Sequence, residues 1–409
     1  MDTALDQRLR PLLDWLKRYF NTHRFLWLLA LASFLVAWNR GLDLLYGVFA
    51  LVLAALAISW FLPWLTLRSV RVTRGQARPA RAGGELQLNY RVAADRPSHH
   101  LLLHETLPCS VGESPAPIHI PGVSGHLNLS RAHPCDRRGV FTLDQMTLGS
   151  AWPFGFVTYT RHVKTPPCRV LVMPRTFPIR ALPVLRTDIA AVDGYNQTAR
   201  PDINSQFAGV REYRFGDSLK HIHWSASARH QELIVREYES HDRPHLLVVI
   251  DGQAEANVGR APWSSFEYAL MIAGSLIEYA VERRIGLHLM VGSATPLTLT
   301  LPPGARNPDD FLEPLAWPQA DGHRPYAALV AEAMERFDSV NGLVTMRNKG
   351  QETALPPVNT GHLDIVFDEQ SFLTRGNGYR DGWRDHGGGR HTLFVHRNSD
   401  LEALFADDP

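Results

Sequence analysis

An excess of charge of either sign is missing from this 409-residue chain, in which 42 Lys+Arg stand against 41 Asp+Glu for a formal net charge of +1. A binder of nucleic acid or of acidic polymers usually carries a clustered basic excess, so that class is set aside. Cysteine is scarce. The three present, Cys109, Cys135 and Cys168, have neither the density of a disulfide framework nor the spacing of a C-x-x-C site, which fits a reduced, cytosolic setting. Also absent are G-x-x-x-x-G-K-[ST], G-x-S-x-G and H-E-x-x-H, the spacings of a P-loop, a hydrolase nucleophile elbow and a zinc protease. What is present is a length sufficient for two or three folded units. Half of the 10 tryptophans fall in the first 64 residues.

Two uncharged apolar runs explain that bias. Phe25 to Trp38 reads FLWLLALASFLVAW and Leu44 to Leu65 reads LLYGVFALVLAALAISWFLPWL. At 1.5 Å per residue the second crosses a hydrocarbon core of roughly 30 Å. The first spans only if its helix reaches back to Phe20 and Arg24 and His23 snorkel. The link from Asn39 to Asp43 is too short for a domain, so residues 1–65 are expected to be an antiparallel transmembrane α-hairpin with helices about 20–38 and 43–65. Arg8, Arg10, Lys17, Arg18 and Arg24 precede it, Arg68, Arg71, Arg74, Arg78 and Arg81 follow it, and the link holds only Arg40. The positive-inside rule then puts both termini and the soluble bulk in the cytoplasm, with Trp38 and Trp60 or Trp64 at opposite interfaces of the inner membrane. Asp2, Asp6 and Asp14 in an overlong amino-terminal region argue against a cleaved signal peptide.

Period-two patterning follows. Residues 68–74, 85–93, 101–107 and 126–131 read as strands, 137–150 as two strands turning at Asp144-Gln145, and 168–174 as a last one. Residues 66–180 are therefore expected to form an all-β, sandwich-like domain of about seven strands. AWPFGFV (151–157) reads as an aromatic turn fixed by Pro153 and Gly155.

Residues 245–409 change pattern again. HLLVVID (245–251) is a buried-type strand, 264–284 a helix and 285–292 a strand, and this order implies a right-handed crossover and a doubly wound α/β sheet. A helix at 326–337, a strand at 363–367 and a strand with its helix at 391–405 continue it. The segment 339–362 has low periodicity and receives no element, and the Gly- and Arg-rich 376–390 reads as a surface loop.

Between these domains, residues 181–244 hold the densest mixture of charge, histidine and aromatics, QFAGVREYRFGDSLKHIHWSASARHQELIVREYE at 206–239. Gly216-Asp217 is a turn and N-cap signal for a short helix over about 218–225, and 233–239 reads as a returning strand. An enzyme reading would make Asp217, His221 and His223 acid–base groups or metal ligands. On a helix, positions i and i+2 do not share a face, which disfavours a two-histidine site; on a strand they would. A latch or docking surface built on Arg211, Arg214 and Arg229 against Glu212, Asp217 and Glu237 is the preferred reading.

This run resembles the signature of the domain of unknown function 58 family, a bacterial group with the approximate pattern R-E-Y-x-x-G-D-x-x-R-x-I-x-W-x-x-x-A-R followed by L-x-V-R-x-[FY]. The residues that carry it are Arg211, Glu212, Tyr213, Gly216, Asp217, Ile222, Trp224, Ala228 and Arg229, then Leu233, Val235, Arg236 and Tyr238. Lys220 stands where the family prefers Arg, and Trp152 where its D-P-F-G element has Asp. With the Arg137–Phe141 element and the hairpin, the resemblance covers roughly residues 20–300. It implies a von Willebrand factor A-like carboxy-terminal domain, and partnership with a MoxR-type AAA+ ATPase and a transglutaminase-like membrane protein. Some such domains bind Mg²⁺ through D-x-S-x-S. Here Asp251 is followed by Gln253 and Glu255 in place of the serines, so no cofactor is expected, and Asp251 and Glu255 are the candidate oxygens for a divalent ion. The expectation is a membrane-anchored protein-interaction module rather than an enzyme. A purely structural scaffold is the remaining alternative.

Overall fold

The computed structural model describes residues 22–112, 115–185, 206–213, 222–230, 232–239, 244–337, 340–349, 361–373 and 381–406. The chain divides into two compact units, Met1–Met173 and Pro174–Pro409. The break falls at the end of a strand, and the signature run is part of the second unit.

The described part of the first unit begins with helices α1 (Thr22–Arg40) and α2 (Asp43–Ser69). The chain reverses between them at Gly41, whose φ of +62° lies in the left-handed region that suits glycine. Ala30, Ser33 and Ala37 of α1 and Val52, Leu56 and Ser59 of α2 are buried. Ala30, Val52 and Leu56 form one cluster with Leu26 and Phe49. Small residues at this seam let two apolar helices approach closely, while Trp38, Leu44 and Leu51 stay exposed. Among the described helices, α2 alone is long and apolar enough to cross a membrane, with a mean hydropathy of 2.3. It also runs past the expected end at residue 65. Leu67 is fully buried in the β core, and the helix passes at Val70 straight into the first strand.

That core belongs to a six-stranded sheet of β1 (Val70–Arg74), β2 (Ala80–Arg81), β3 (Gly84–His104), β4 (Ile118–Cys135), β5 (Gly139–Ser150) and β6 (Tyr159–Met173). Its order is β1-β3-β5-β6-β2 with β4 also on β3, all joined in one hydrogen-bonded network. Two sequence expectations are corrected here. The segments 85–93 and 101–107 belong to one strand, β3, broken by an irregularity between Ala94 and Ser98. Asp144-Gln145 is likewise a register shift inside a continuous β5, not a turn. An extra residue accommodated as a bulge bends a strand without reversing it. Both halves of β3 therefore reach one core, Leu86, Leu88 and Tyr90 from the first half and Leu101 and Leu103 from the second.

The second unit begins, among described elements, with β7 (Gln206–Glu212), α3 (Trp224–His230) and β8 (Ile234–Glu239). It continues with β9 (His245–Ile250), α4 (Ser265–Arg283), β10 (Gly286–Val291), β11 (Leu297–Leu301) and α5 (Asp309–Leu312). Then come α6 (Tyr326–Arg336), β12 (Gly342–Asn348), β13 (Gly361–Phe367), α7 (Glu369–Leu373), β14 (Gly382–Asp385), β15 (Arg390–Val395) and α8 (Leu401–Leu404). A seven-stranded mixed sheet has the order β11-β10-β9-β12-β13-β15-β14, with its five central strands parallel and an antiparallel strand at each edge. α4 is well specified by sequence: the Ser264 side chain accepts from the Glu267 amide, and Arg284 closes the other end in the left-handed region. Leu247 and Val249 pack with Leu329, Val330 and Ala333 of α6. The alternate residues Leu246, Val248 and Ile250, equally buried, face the other side, and α4 contacts β9 and β10.

Two further expectations change. The unassigned segment 339–362 contains β12, the strand beside β9 at the centre of the sheet. Within the Gly-rich loop 376–390, residues 382–385 form the edge strand β14, held by the Trp383 indole N–H donating to the Leu404 carbonyl at 2.9 Å.

Candidate functional site

Two places in the second unit gather polar chemistry. The first is the signature hairpin. β7 and β8 pair antiparallel, with Arg211 opposite Val235 and Val210 opposite Arg236. The insertion between them is tied back through the main chain: the Tyr213 amide donates to Leu233 at 2.7 Å, the His223 amide donates to Ile234 at 2.8 Å, and Ile222 bridges Val235. The described helix α3 starts at Trp224; of the expected helix 218–225, residues 218–221 lie outside the described residues, and Ile222 and His223 are not helical. The His223 carbonyl accepts from the amides of Ala226 and Ser227, and the His223 Nδ1 lies 3.2 Å from the Ala226 amide and 2.9 Å from Ser225 Oγ. His223 thus caps α3, which turns the ring nitrogen facing the chain to a structural use. Ser227, buried, accepts from the Ile234 amide at 2.8 Å and locks the helix to β8.

Of the signature residues, Ile222 is buried and Tyr213 half-buried, whereas Trp224, Ala228 and Arg229 face solvent. Trp224 is 65% exposed, and Leu233 is exposed as well. Arg211, Glu212 and Arg236 lie on the paired strands. Gly216 and Asp217 fall outside the described residues, as do Arg214 and His221.

The second place lies past the carboxyl ends of the parallel strands, where the order turns at β9 because one crossover leads to β10 and a later one to β12. An open sheet forms its crevice at such a point. The backbone there is very tight. The Gly322 amide donates to the Gly252 carbonyl at 2.8 Å, and a Cβ on Gly322 would stand 2.0 Å from the Gly292 oxygen. Asp251 closes β9, with Oδ1 accepting from the Gln253 amide at 3.0 Å. It lines a cavity of about 10 Å³ with Asn257, Ser265, Arg347 and Asn348, a volume suited to about one water or small ion. The Asn348 Oδ1 there is buried with no hydrogen-bond partner. Glu255, the other carboxylate singled out from sequence, is exposed and is not part of this lining. Among the described residues no cluster of three or more His, Cys, Asp and Glu could hold a metal.

Next to the cavity, β12 and β13 carry a buried polar network that sequence reading missed. Thr345 Oγ1 lies 2.8 Å from His362 Nε2 and donates to Asp364 at 2.9 Å, and Arg347 grips both oxygens of Asp364, the shortest contact being 2.7 Å. Burial holds the His362 imidazole below its ordinary value of 6.5, opposed by Asp364. The Tyr326 hydroxyl, wholly buried beside this group, is raised chiefly by burial.

Residues 209–343 match the model of the family described as protein of unknown function DUF58. The matched stretch runs from β7 through the hairpin and the switch point to the start of β12, and for these residues it bears out the resemblance drawn from the signature. No curated protein matches the chain.

Proposed function

We propose that this is a membrane-anchored protein-interaction module whose signature hairpin is the docking surface. The observation that carries this reading is Trp224, 65% exposed on a seven-residue helix that main-chain and Ser227 hydrogen bonds hold in place. A large aromatic that adds nothing to the core beneath it, beside exposed Leu233 and Arg229, has the composition of an interface anchor. The finer reading adds α1 to α2 as a two-helix anchor in the inner membrane, with both termini and soluble domains cytoplasmic. It also takes the seven-stranded sheet as a doubly wound, von Willebrand factor A-like domain, for which the central position of β9 and its parallel neighbours speak. On the family resemblance the partner is a MoxR-type AAA+ ATPase, with a transglutaminase-like membrane protein as a second candidate. Purification of the full chain in detergent from a cell expressing such an ATPase is the direct test. Co-recovery lost in Trp224→Ala is the expected result; recovery of no ATPase with the native chain refutes the partnership.

A divalent ion is a subordinate part of this proposal. Should Mg²⁺ bind, Asp251 and Asn348 would supply its hard oxygens, rather than Asp251 and Glu255, because they share the cavity. Isothermal titration of the full chain with Mg²⁺, against Asp251→Ala and Glu255→Ala, separates the two donor sets. Catalysis through His223 is disfavoured by its capping use.

A further inference from the structure

The aromatic turn 151–157 lies at the end of the first unit from which α2 emerges, and several contacts fix that placement. Val70, the first residue after the helix, pairs with Ala94, and Ser69 Oγ is 3.5 Å from Ser98 Oγ. The bend of β3 at 94–98 therefore stands beside the helix end. Ser98 in turn pairs with Val123, Leu101 pairs with Ser150, and the His99 ring lies 5.5 Å from that of Trp152. On the other side of the turn, Ser150 pairs with Tyr159, and Arg161 donates to the Val70 carbonyl at 3.3 Å. At this end α2 changes environment. Ile58, Trp60 and Phe61 are exposed, whereas Pro63 and Leu67 are buried, and the Arg68 guanidinium sits 4.4 Å over the Trp64 ring. That is the arrangement of a helix leaving apolar surroundings for water.

Phe154, at the tip of the turn, is 47% exposed and stacks on Phe156 at 5.5 Å. Of the large apolar side chains in the sheet region of the first unit, only Phe154 and Leu127 are exposed among the described residues. A single exposed hydrophobe is ordinary. One carried on a rigid turn beside a membrane exit has a nearby apolar solvent to enter. We propose that this turn is a second foot of the first unit on the bilayer, with Phe154 seated among the headgroups of the leaflet that α2 leaves. The inference rests on α2 spanning the membrane. Because α2 runs unbroken into the sheet, the two tilt together, and a second contact beside the exit fixes the attitude of both to the surface.

The full chain, with Cys168→Ser so that only buried Cys109 and Cys135 remain, is placed in nanodiscs containing lipid with a nitroxide headgroup. An environment-sensitive fluorophore is attached in turn at Thr158→Cys, Leu51→Cys and Glu85→Cys. The last lies about 30 Å along β3 from its bend. With acyl-chain nitroxides in a parallel sample, the Leu51 label should be strongly quenched, which checks the span itself. With headgroup nitroxides, the Thr158 label should lose at least about half its emission and the Glu85 label almost none. Phe154→Asp should abolish the Thr158 quenching and leave the melting temperature unchanged. Quenching at Leu51 without any at Thr158 overturns the foot while leaving the span intact. Loss of quenching at Leu51 removes the span and the foot with it. Quenching at Thr158 that survives Phe154→Asp, or a blue-shifted Thr158 label that lipid does not quench, also overturns the proposal, the latter in favour of a protein contact.

Discussion

Among the described residues, each unit holds one buried arginine–carboxylate pair, and the two are built for different ends. In the first unit Arg74 and Glu105 have side chains 0% and 1% exposed and meet at 2.6 Å. Arg74 also donates to the Leu143 carbonyl and to Thr165, and Glu105 is close to Tyr90, whose hydroxyl lies 3.1 Å from His133 Nε2. Each nitrogen of the Arg74 guanidinium and both oxygens of Glu105 find partners inside a closed core, where such a pair specifies how β1, β3, β5 and β6 fit together. In the second unit Arg347, near the end of β12, and Asp364, midway along β13, retain 14% and 10% exposure, and Arg347 lines the Asp251 cavity. The same chemistry serves as a rivet in one case and as the rim of a crevice in the other. Position in the sheet, not residue type, makes the difference.

The sharpest way to break this contrast is Arg74→Met. Stranding Glu105 in the core should cost about 3–5 kcal/mol, read by chemical denaturation of the full chain in detergent. Adding Glu105→Leu should return most of it; a single-variant loss under about 1 kcal/mol would show that the pair is no rivet. Asp364→Asn should cost less, about 2 kcal/mol, because water reaches the Arg347 it leaves behind. Equal losses from the two variants would erase the distinction. A pH series sharpens it further. Burial lowers the imidazoles of His133 in the first unit, and of His362 and His288 in the second, below the usual 6.5. The unfolded chain therefore binds more protons than the folded one as pH falls below 6.5, and stability present above that value is lost progressively. The melting temperature should drop by about a few degrees between pH 7 and 5, and His362→Gln should remove the share that His362 contributes, leaving that of His288. The smallest effect on stability is expected for Trp224→Ala, under about 0.5 kcal/mol, while partner recovery falls. A variant that unfolds instead would make the hairpin a latch.

Much of the second unit was legible because its elements follow simple periods: β9 and β10 are apolar runs, and α4 has helical spacing and a serine cap. β12 was not, because Thr345, Arg347 and Asn348 interrupt its apolar pattern. Those residues are the ones that form the polar network and line the cavity, so the strand was hidden by what it contributes. Arg74 misled in the opposite direction. Counted from sequence among the positive flank, it is neutralised inside the core, and the charge bias after the hairpin is one residue weaker than it reads. Bulges at Ala94–Ser98 and Asp144 looked like gaps and turns since only pairing partners distinguish them. For the signature hairpin, the returning strand β8 was foreseeable from the pattern of 233–239, but the exposure of Trp224 and the start of α3 were not, the latter because a histidine caps it.

The absence of a joint between α2 and β1 has a mechanical consequence. A peptide hinge would let a soluble module swivel while its anchor stayed still. Here the last helical turn is clamped in the sheet's interior, so a pull or twist applied to that sheet passes directly into α2. Whatever grips this part of the chain also moves its root.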